Sequence, residues 1–243
     1  KCRQMTRRLL RGDPPLEVVL RRSARARRFS LRVSRIDGRV TLSMPDHARE
    51  AEALAFAQGH AEWIRRALER NGPRVAVGFG LQLPVQGRML TLTPAGVRAP
   101  KVEGDRLLLP ADPQRAAVRA ATYLRLLARQ QLQSASDHYA AQIGRSFRTI
   151  TLRDTRSRWG SCTTDGRLMY SWRLILAPPS VLSYVAAHEV AHLAEMNHSD
   201  RFWKIVRRLM PEFEIHRRWL RSDGNRLHQF DFGGTRPDAA QDH

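Results

Sequence analysis

Residues 188–192 read His188-Glu189-Val190-Ala191-His192, and His198 follows ten positions after the first histidine. On a helix, residues four apart lie one turn up on the same face. His188 and His192 therefore point to one side, where a single cation can take a ring nitrogen from each at about 2.1 Å. Glu189 stands beside the first imidazole and can reach a water near that cation without ligating it, the H-E-x-x-H pattern of zinc peptidases. A catalytic metal site takes three protein ligands and keeps one position open. His198 is the third, at the spacing of H-E-x-x-H-x-x-G-x-x-H. Glu195 stands where that pattern has its turn-forming glycine. Asn197, which tolerates a left-handed backbone, is expected to reverse the chain instead, with Ser199 or Asp200 capping the next helix. At this chain's own composition the three-histidine pattern arises by chance roughly 5 times in 10,000. The other histidines (His47, His60, His138, His216, His228 and His243) have no ligand spacing and read as structural or surface residues.

Working outward, Pro178-Pro179-Ser180 opens the histidine helix, whose stripe runs Val181, Tyr184, Val185, His188, His192, Glu195. Short helices are expected from about Asp200 and from Pro211. Upstream, Ile150 and Leu152 suggest a strand, Asp165-Gly166 a tight hairpin, and Leu168 to Leu176 a returning strand. Asp112-Pro113 starts a helix of about 30 residues that meets no breaker before Gly144. Residues 75–110 hold short β-like runs punctuated by Gly and Pro, a small curled antiparallel sheet. Residues 48–70 read as a helix stopped by Gly72-Pro73. Before it, Leu16–Leu20 and Phe29–Val33 look extended, Asp37-Gly38 signals a hairpin, and Val40, Leu42 and Met44 alternate. The expected organisation is α+β. It comprises a flexible Arg-rich leader (1–15), a β-rich N-terminal subdomain with one helix (16–110), a catalytic domain (111–222) and a loosely held polar tail (223–243).

The chain has 243 residues and a net charge of +19 from 42 basic and 23 acidic side chains. Only Lys1, Lys101 and Lys204 are lysines, so the excess is arginine. It is spread along the chain, apart from one dense run: Arg21, Arg22, Arg25, Arg27, Arg28, Arg32. Such a surface suits weak nucleic-acid or nucleotide contact, although no aromatic interleaving marks a base-stacking platform. An apolar content of 42% excludes wholesale disorder. No apolar run approaches the ~18 residues of a membrane span, and no secretory h-region is visible at the start. Met5 reads as a native start, with residues 1–4 appended. Cys2 and Cys162 make no disulfide framework, which leaves a reducing cytoplasm as the expected compartment. Nothing in the sequence marks an oligomeric state.

Several further motifs accompany the histidines: Ser157-Arg158-Trp159-Gly160-Ser161-Cys162, Trp172-Arg173-Leu174-Ile175, and Asn197-His198-Ser199 with Phe202-Trp203. With His188–His192, they make residues 153–220 resemble the catalytic core of the YgjP-like zinc metallopeptidases, relatives of the SprT and WLM peptidases. The resemblance extends weakly to Arg21-Arg22-Ser23 through Arg32-Val33 and to the helix around Trp63-Ile64. It implies a minimal zincin-like fold binding one Zn²⁺, in which a small sheet packs on the active-site helix. The strand ending near Trp172 would hold a peptide or protein substrate in extended conformation along its edge. Some relatives are described as nucleotide pyrophosphohydrolases acting on UTP, an alternative for the same site. No Cys-rich zinc ribbon of the kind some SprT relatives append is present.

The expected roles follow. His188, His192 and His198 hold the metal, and Glu189 is the general base. Arg173 is preferred over Arg158 and Tyr170 as the cation or donor facing the oxyanion. Glu195, one turn beyond His192, is placed to orient that ring. Trp159, Tyr170 and Trp172 border the cleft, and Phe202 and Trp203 pack around it. Cys162 reads as a small buried side chain in a turn. A third reading, a polyanion-binding protein with a structural metal, calls for four protein ligands where three are evident.

Overall fold

A computed structural model describes residues 5–34, 38–69 and 74–233. The Asp37-Gly38 hairpin signal, the Gly72-Pro73 stop and residues 1–4 lie wholly or partly outside them. The chain divides into two compact units, residues 1–73 and 74–243. The architecture is mixed α+β, as expected from the sequence.

The first unit holds β1 (Met5–Leu10), β2 (Leu16–Ser23), β3 (Ser30–Val33), β4 (Val40–Pro45), α1 (Glu50–Gly59) and α2 (Ala61–Glu69). The sheet order is β1-β2-β4-β3. Period-two alternation puts Val18, Leu20, Val40, Leu42 and Met44 on one face, where they form a core with Ala53, Ala57 and Ile64 of the helices. Residues 5–10, read from the sequence as part of a flexible leader, form a strand paired antiparallel with β2. Leu10 is buried there beneath an otherwise Arg-rich strand, a pattern too polar to announce itself. The helix expected over 48–70 is two helices that part at His60.

The second unit begins with β5 (Val75–Ala76), β6 (Gln82–Val85), β7 (Arg88–Ala95), β8 (Lys101–Glu103) and β9 (Arg106–Pro110), followed by α3 (Ala116–Gln142). The β6–β7 hairpin closes through Gln86 and Gly87, both at positive φ (50° and 77°), the backbone a primed two-residue turn requires. This sheet shares the core of α3, with Leu83, Leu92, Leu107 and Leu109 buried among Leu124 and Leu132. The boundary drawn from sequence at 110/111 therefore falls inside a compact unit. Hydrophobic burial joins segments that Gly- and Pro-rich stretches punctuate in the sequence.

Next come β10 (Thr149–Arg153), β11 (Gly160–Cys162), β12 (Arg167–Ser171), a 3₁₀ turn (Trp172–Leu176), α4 (Pro179–Ala191), α5 (Asp200–Leu209), α6 (Phe213–Ser222), a second 3₁₀ turn (Gly224–His228) and β13 (Phe230–Asp231). β11 and β12 form the Asp165-Gly166 hairpin, and β12 lies between β10 and β11. The strand expected to run to Leu176 stops at Ser171. Trp172 through Leu176 are consecutively buried, which a two-faced strand can achieve only when covered on both sides; here a tight helical turn buries them instead. The segment read as a polar tail is also structured as far as residue 233. Leu227 and Phe232 are buried, and β13 pairs parallel with β5.

Candidate active site

Helix α4 starts with Pro179 at its first turn and is buried along nearly its whole length, with Val181, Val185, Ala186, Val190 and Ala191 in the core. A proline there loses no hydrogen bond, since that N–H has no helical partner. Apolar packing fixes the rotation of the helix, and with it the direction of His188 and Glu189 in its last turn. His192 lies just past the last helical residue, in right-handed geometry (φ −65°, ψ −18°). It thus keeps the one-turn offset from His188.

The chain reverses over residues 193–199. Asn197 is not left-handed; among the described non-glycine residues only Gln86 has positive φ. The reversal is made by successive tight turns, with Leu193 N–H donating to the Val190 carbonyl and Ser199 N–H to the Asn197 carbonyl. Ser199 caps α5, its hydroxyl accepting from Phe202 N–H at 3.4 Å.

These two local structures bring together the three histidines singled out from the sequence. One ring nitrogen from each of His188, His192 and His198 lies within 4.8 Å of the others. The Nε2 atoms of His188 and His198 stand 3.1 Å apart. Phe202, fully buried, supports all three rings: it stacks on His192 at 4.4 Å between centroids and meets His188 and His198 at 4.9 and 4.8 Å edge-on. His192 Nδ1–H donates to the backbone carbonyl of Glu195 at 3.0 Å, which turns Nε2 toward the cluster. The contact of Glu195 with His192 is thus made by its main chain and not by the carboxylate. His188 Nδ1 is buried without a partner among the described residues.

The electrostatics suit a cation. Burial, helped by its two imidazole neighbours, holds the His188 pKa down at about 3; burial likewise lowers His192. Both rings are neutral at neutral pH, the form that ligates metal. His188 and His192 are embedded while His198 is exposed, so the cluster opens to one side. The three imidazoles fit a divalent transition-metal ion by donor chemistry.

Glu189 is 6% exposed. Burial raises its pKa to about 8, opposed by the positive charge of Arg158. The space it occupies exists because residue 160 in the facing strand β11 has no side chain. A Cβ on Gly160 would lie 2.5 Å from Oε1, 2.6 Å from Cγ and 2.7 Å from Cδ of Glu189. Gly160 has no positive φ, so the requirement is for room and not for backbone freedom. The sequence reading missed this role; its one signal was a glycine inside a strand, which often marks close approach.

Arg173, expected to face the oxyanion, has its guanidinium engaged by other groups of the chain. It is 8% exposed and grips Asp154 twice, Nε to Oδ1 at 2.6 Å and Nη2 to Oδ2 at 3.1 Å. Its Nη1 donates to the carbonyls of Leu227 and Phe230 at 3.0 and 2.9 Å. Four hydrogen bonds tie the residue that follows β10, the first 3₁₀ turn and the C-terminal segment together, so these donors are spent on structure. Tyr170 and Trp172 are also not cleft residues. Tyr170 is fully buried in β12, its hydroxyl 3.0 Å from Ser136 Oγ on α3, and burial raises its pKa further. Trp172 is buried beneath the guanidinium groups of Arg125 and Arg173 and beside Phe232. Trp159 is half-buried, next to Gly160, and stacks on His228 at 5.0 Å. Cys162 is half-buried in β11; burial, with Glu189 and Asp165 adding negative charge, lifts its thiol to about 11, which leaves it unreactive at neutral pH. Arg158, exposed, is the cation that acts on Glu189.

Residues 27–223 match a family model described as YgjP-like, metallopeptidase domain. The chain belongs to the YgjP-like family. That membership makes it a metallopeptidase-type, metal-dependent hydrolase, and the matched span contains the three histidines and Glu189. Among solved structures, this YgjP-like chain is similar to one titled the metallopeptidase zymogen of Pyrococcus abyssi abylysin. The identity is 17%, covering 38% of this chain and 95% of that one, with a TM-score of 0.35. A likeness that weak carries no argument about chemistry. A comparison with curated proteins finds no match. No helix among the described residues is long and apolar enough to cross a membrane.

Proposed function

We propose that the protein is a zinc-dependent peptidase that hydrolyses peptide bonds with Glu189 as general base. The observation that carries this reading is the cluster of three imidazoles beside a buried carboxyl group, open on one side. His188, His192 and His198 would hold the ion, and among the described residues no fourth donor joins them. That count supports a catalytic ion over a structural one. Zinc held there supplies Lewis acidity, which polarises a carbonyl and acidifies a water molecule.

The chain's own residues do the rest. Glu189 takes a proton from the attacking water and delivers it to the leaving amine nitrogen. A carboxyl held high by burial is matched to moving a proton near neutral pH. Gly160 keeps that carboxylate seated, and Phe202 with the Glu195 carbonyl keeps the ligand rings oriented. A substrate carbonyl needs a positive neighbour as charge develops, and Arg158, the exposed cation whose charge acts on Glu189, is the candidate. β11, at one edge of its three-stranded sheet beside Glu189, supports extended binding of a peptide by strand addition. It takes the place of the strand ending near Trp172, which is central in its sheet.

The test is direct. Metal content is measured on protein purified without chelator, and hydrolysis is followed on a casein-like substrate and a nucleotide panel that includes UTP. One bound zinc, peptide turnover abolished by chelator, and a Glu189→Gln variant that keeps zinc but loses turnover are expected. Turnover of UTP alone would transfer the site to the pyrophosphohydrolase reading.

A further inference from the structure

Two arginines of the dense run, Arg21 and Arg32, which the catalytic chemistry leaves unused, lie on a sheet face of the first unit. The core-facing side of that sheet carries Val18, Leu20, Leu42 and Met44. Alternation sends their neighbours to the opposite side, where residues of β2, β4 and β3 and of the segment joining the last two line a concavity of about 320 Å³. Cross-strand register arranges them in rows. Arg21, Ser43 and Ser30 are aligned across the three strands, and Thr41 faces Arg32 in the next row. Arg39 and Ser34 complete the lining. Every lining residue is therefore an arginine or carries a hydroxyl, with no carboxylate and no aromatic ring among them. Arg25, Arg27 and Arg28, all exposed, lie in the β2–β3 connection at the end of the sheet where Arg21, Ser43 and Ser30 meet. Arg22 is on the other side and is consumed structurally, donating to the Asp46 and Ala48 carbonyls at 2.7 and 3.0 Å.

We propose that this face binds duplex RNA through its sugar–phosphate backbone. Guanidinium forks match phosphate oxygens. Hydroxyls interleaved between them can donate to and accept from ribose 2′-hydroxyls, the groups by which an RNA duplex is recognised across its shallow minor groove. The lack of aromatic rings removes the stacking platform that single strands need. None of the lining residues carries a carboxylate, within a chain of net charge +19. The face belongs to the first unit and the three histidines to the second, and the proposal does not depend on the peptidase reading.

Binding of a fluorescein-labelled RNA duplex of mixed sequence to the full chain tests this, titrated between 50 and 200 mM salt by anisotropy. Arg21→Gln combined with Arg32→Gln removes two phosphate contacts. The affinity at about 0.1 M salt should fall roughly tenfold to a hundredfold, and the salt slope should shrink by about 2. The combination Arg98→Gln with Arg129→Gln makes the same charge change on exposed residues of the second unit, and should lose less than threefold. Ser43→Ala with Thr41→Val leaves the charge intact and should narrow the preference for RNA over a DNA duplex of the same sequence. Unfolding midpoints of all variants are measured alongside. Equal losses in the two arginine pairs, an unchanged affinity in the Arg21/Arg32 pair, or equal affinity of wild type for DNA and RNA duplexes would each overturn the proposal.

Discussion

Replacing Gly160 by alanine isolates the contact between β11 and the active-site helix. The added Cβ would stand 2.5 Å from Glu189 Oε1 and 2.6 Å from its Cγ. Ordinary contact for such atoms is about 3.4 Å or more, so the carboxylate must retreat by up to about 1 Å or the strand must move. Glu189 is buried, and overpacking of this kind costs about 1–3 kcal/mol. The catalytic cost is larger, because a displacement of 1 Å in a reacting group lowers rate roughly 100-fold. Gly160→Ala is therefore expected to cut kcat on a peptide substrate about 100-fold with bound metal unchanged. The coupling is checked by a double-mutant cycle with Glu189→Gln. If Gly160 acts through the carboxylate, the double variant loses little beyond Glu189→Gln alone. Additive losses, or a Gly160→Ala variant within threefold of wild type, would refute the steric reasoning.

Two further outcomes follow from the structure. Arg173→Met strands the partly buried Asp154 carboxylate and two carbonyls, and should destabilise the fold by about 3 kcal/mol in denaturant titrations; lost turnover at unchanged stability would return Arg173 to the chemistry. His228, stacked on Trp159, is held neutral down to about pH 4 by burial and by Arg173 and Arg156, with Asp154 opposing. Its folded pKa is below the unfolded value of about 6.5, so the unfolded chain binds the extra proton in between and stability falls as pH drops from 6.5 to 4. His228→Phe keeps the ring and should recover roughly 2–3 kcal/mol of that acid loss; parallel pH–stability curves for wild type and variant would exclude this assignment.

What was legible in the sequence shares one property, short range. The offset of His188 from His192 is a helical repeat, and the caps at Pro179 and Ser199 are decided within a few residues. The Asp165-Gly166 hairpin and the alternation of Val40, Leu42 and Met44 are equally local. The misread residues depend on distant partners. Arg173 is 19, 54 and 57 positions from the groups that occupy it, and Tyr170 is 34 from Ser136. Each is a polar or aromatic side chain beside a motif, and proximity along the chain said nothing of which side of the sheet it would take.

The sequence by itself determined that two imidazoles and a carboxylate share the end of one helix, because backbone periodicity alone imposes that geometry; the chain reversal that follows adds the third imidazole. Only the tertiary structure decided that the Glu195 carbonyl meets His192, that Arg173 is a tie between segments, and that a missing side chain at position 160 makes room for Glu189. Those outcomes depend on which surfaces pack together, and packing is settled by burial summed over the whole unit.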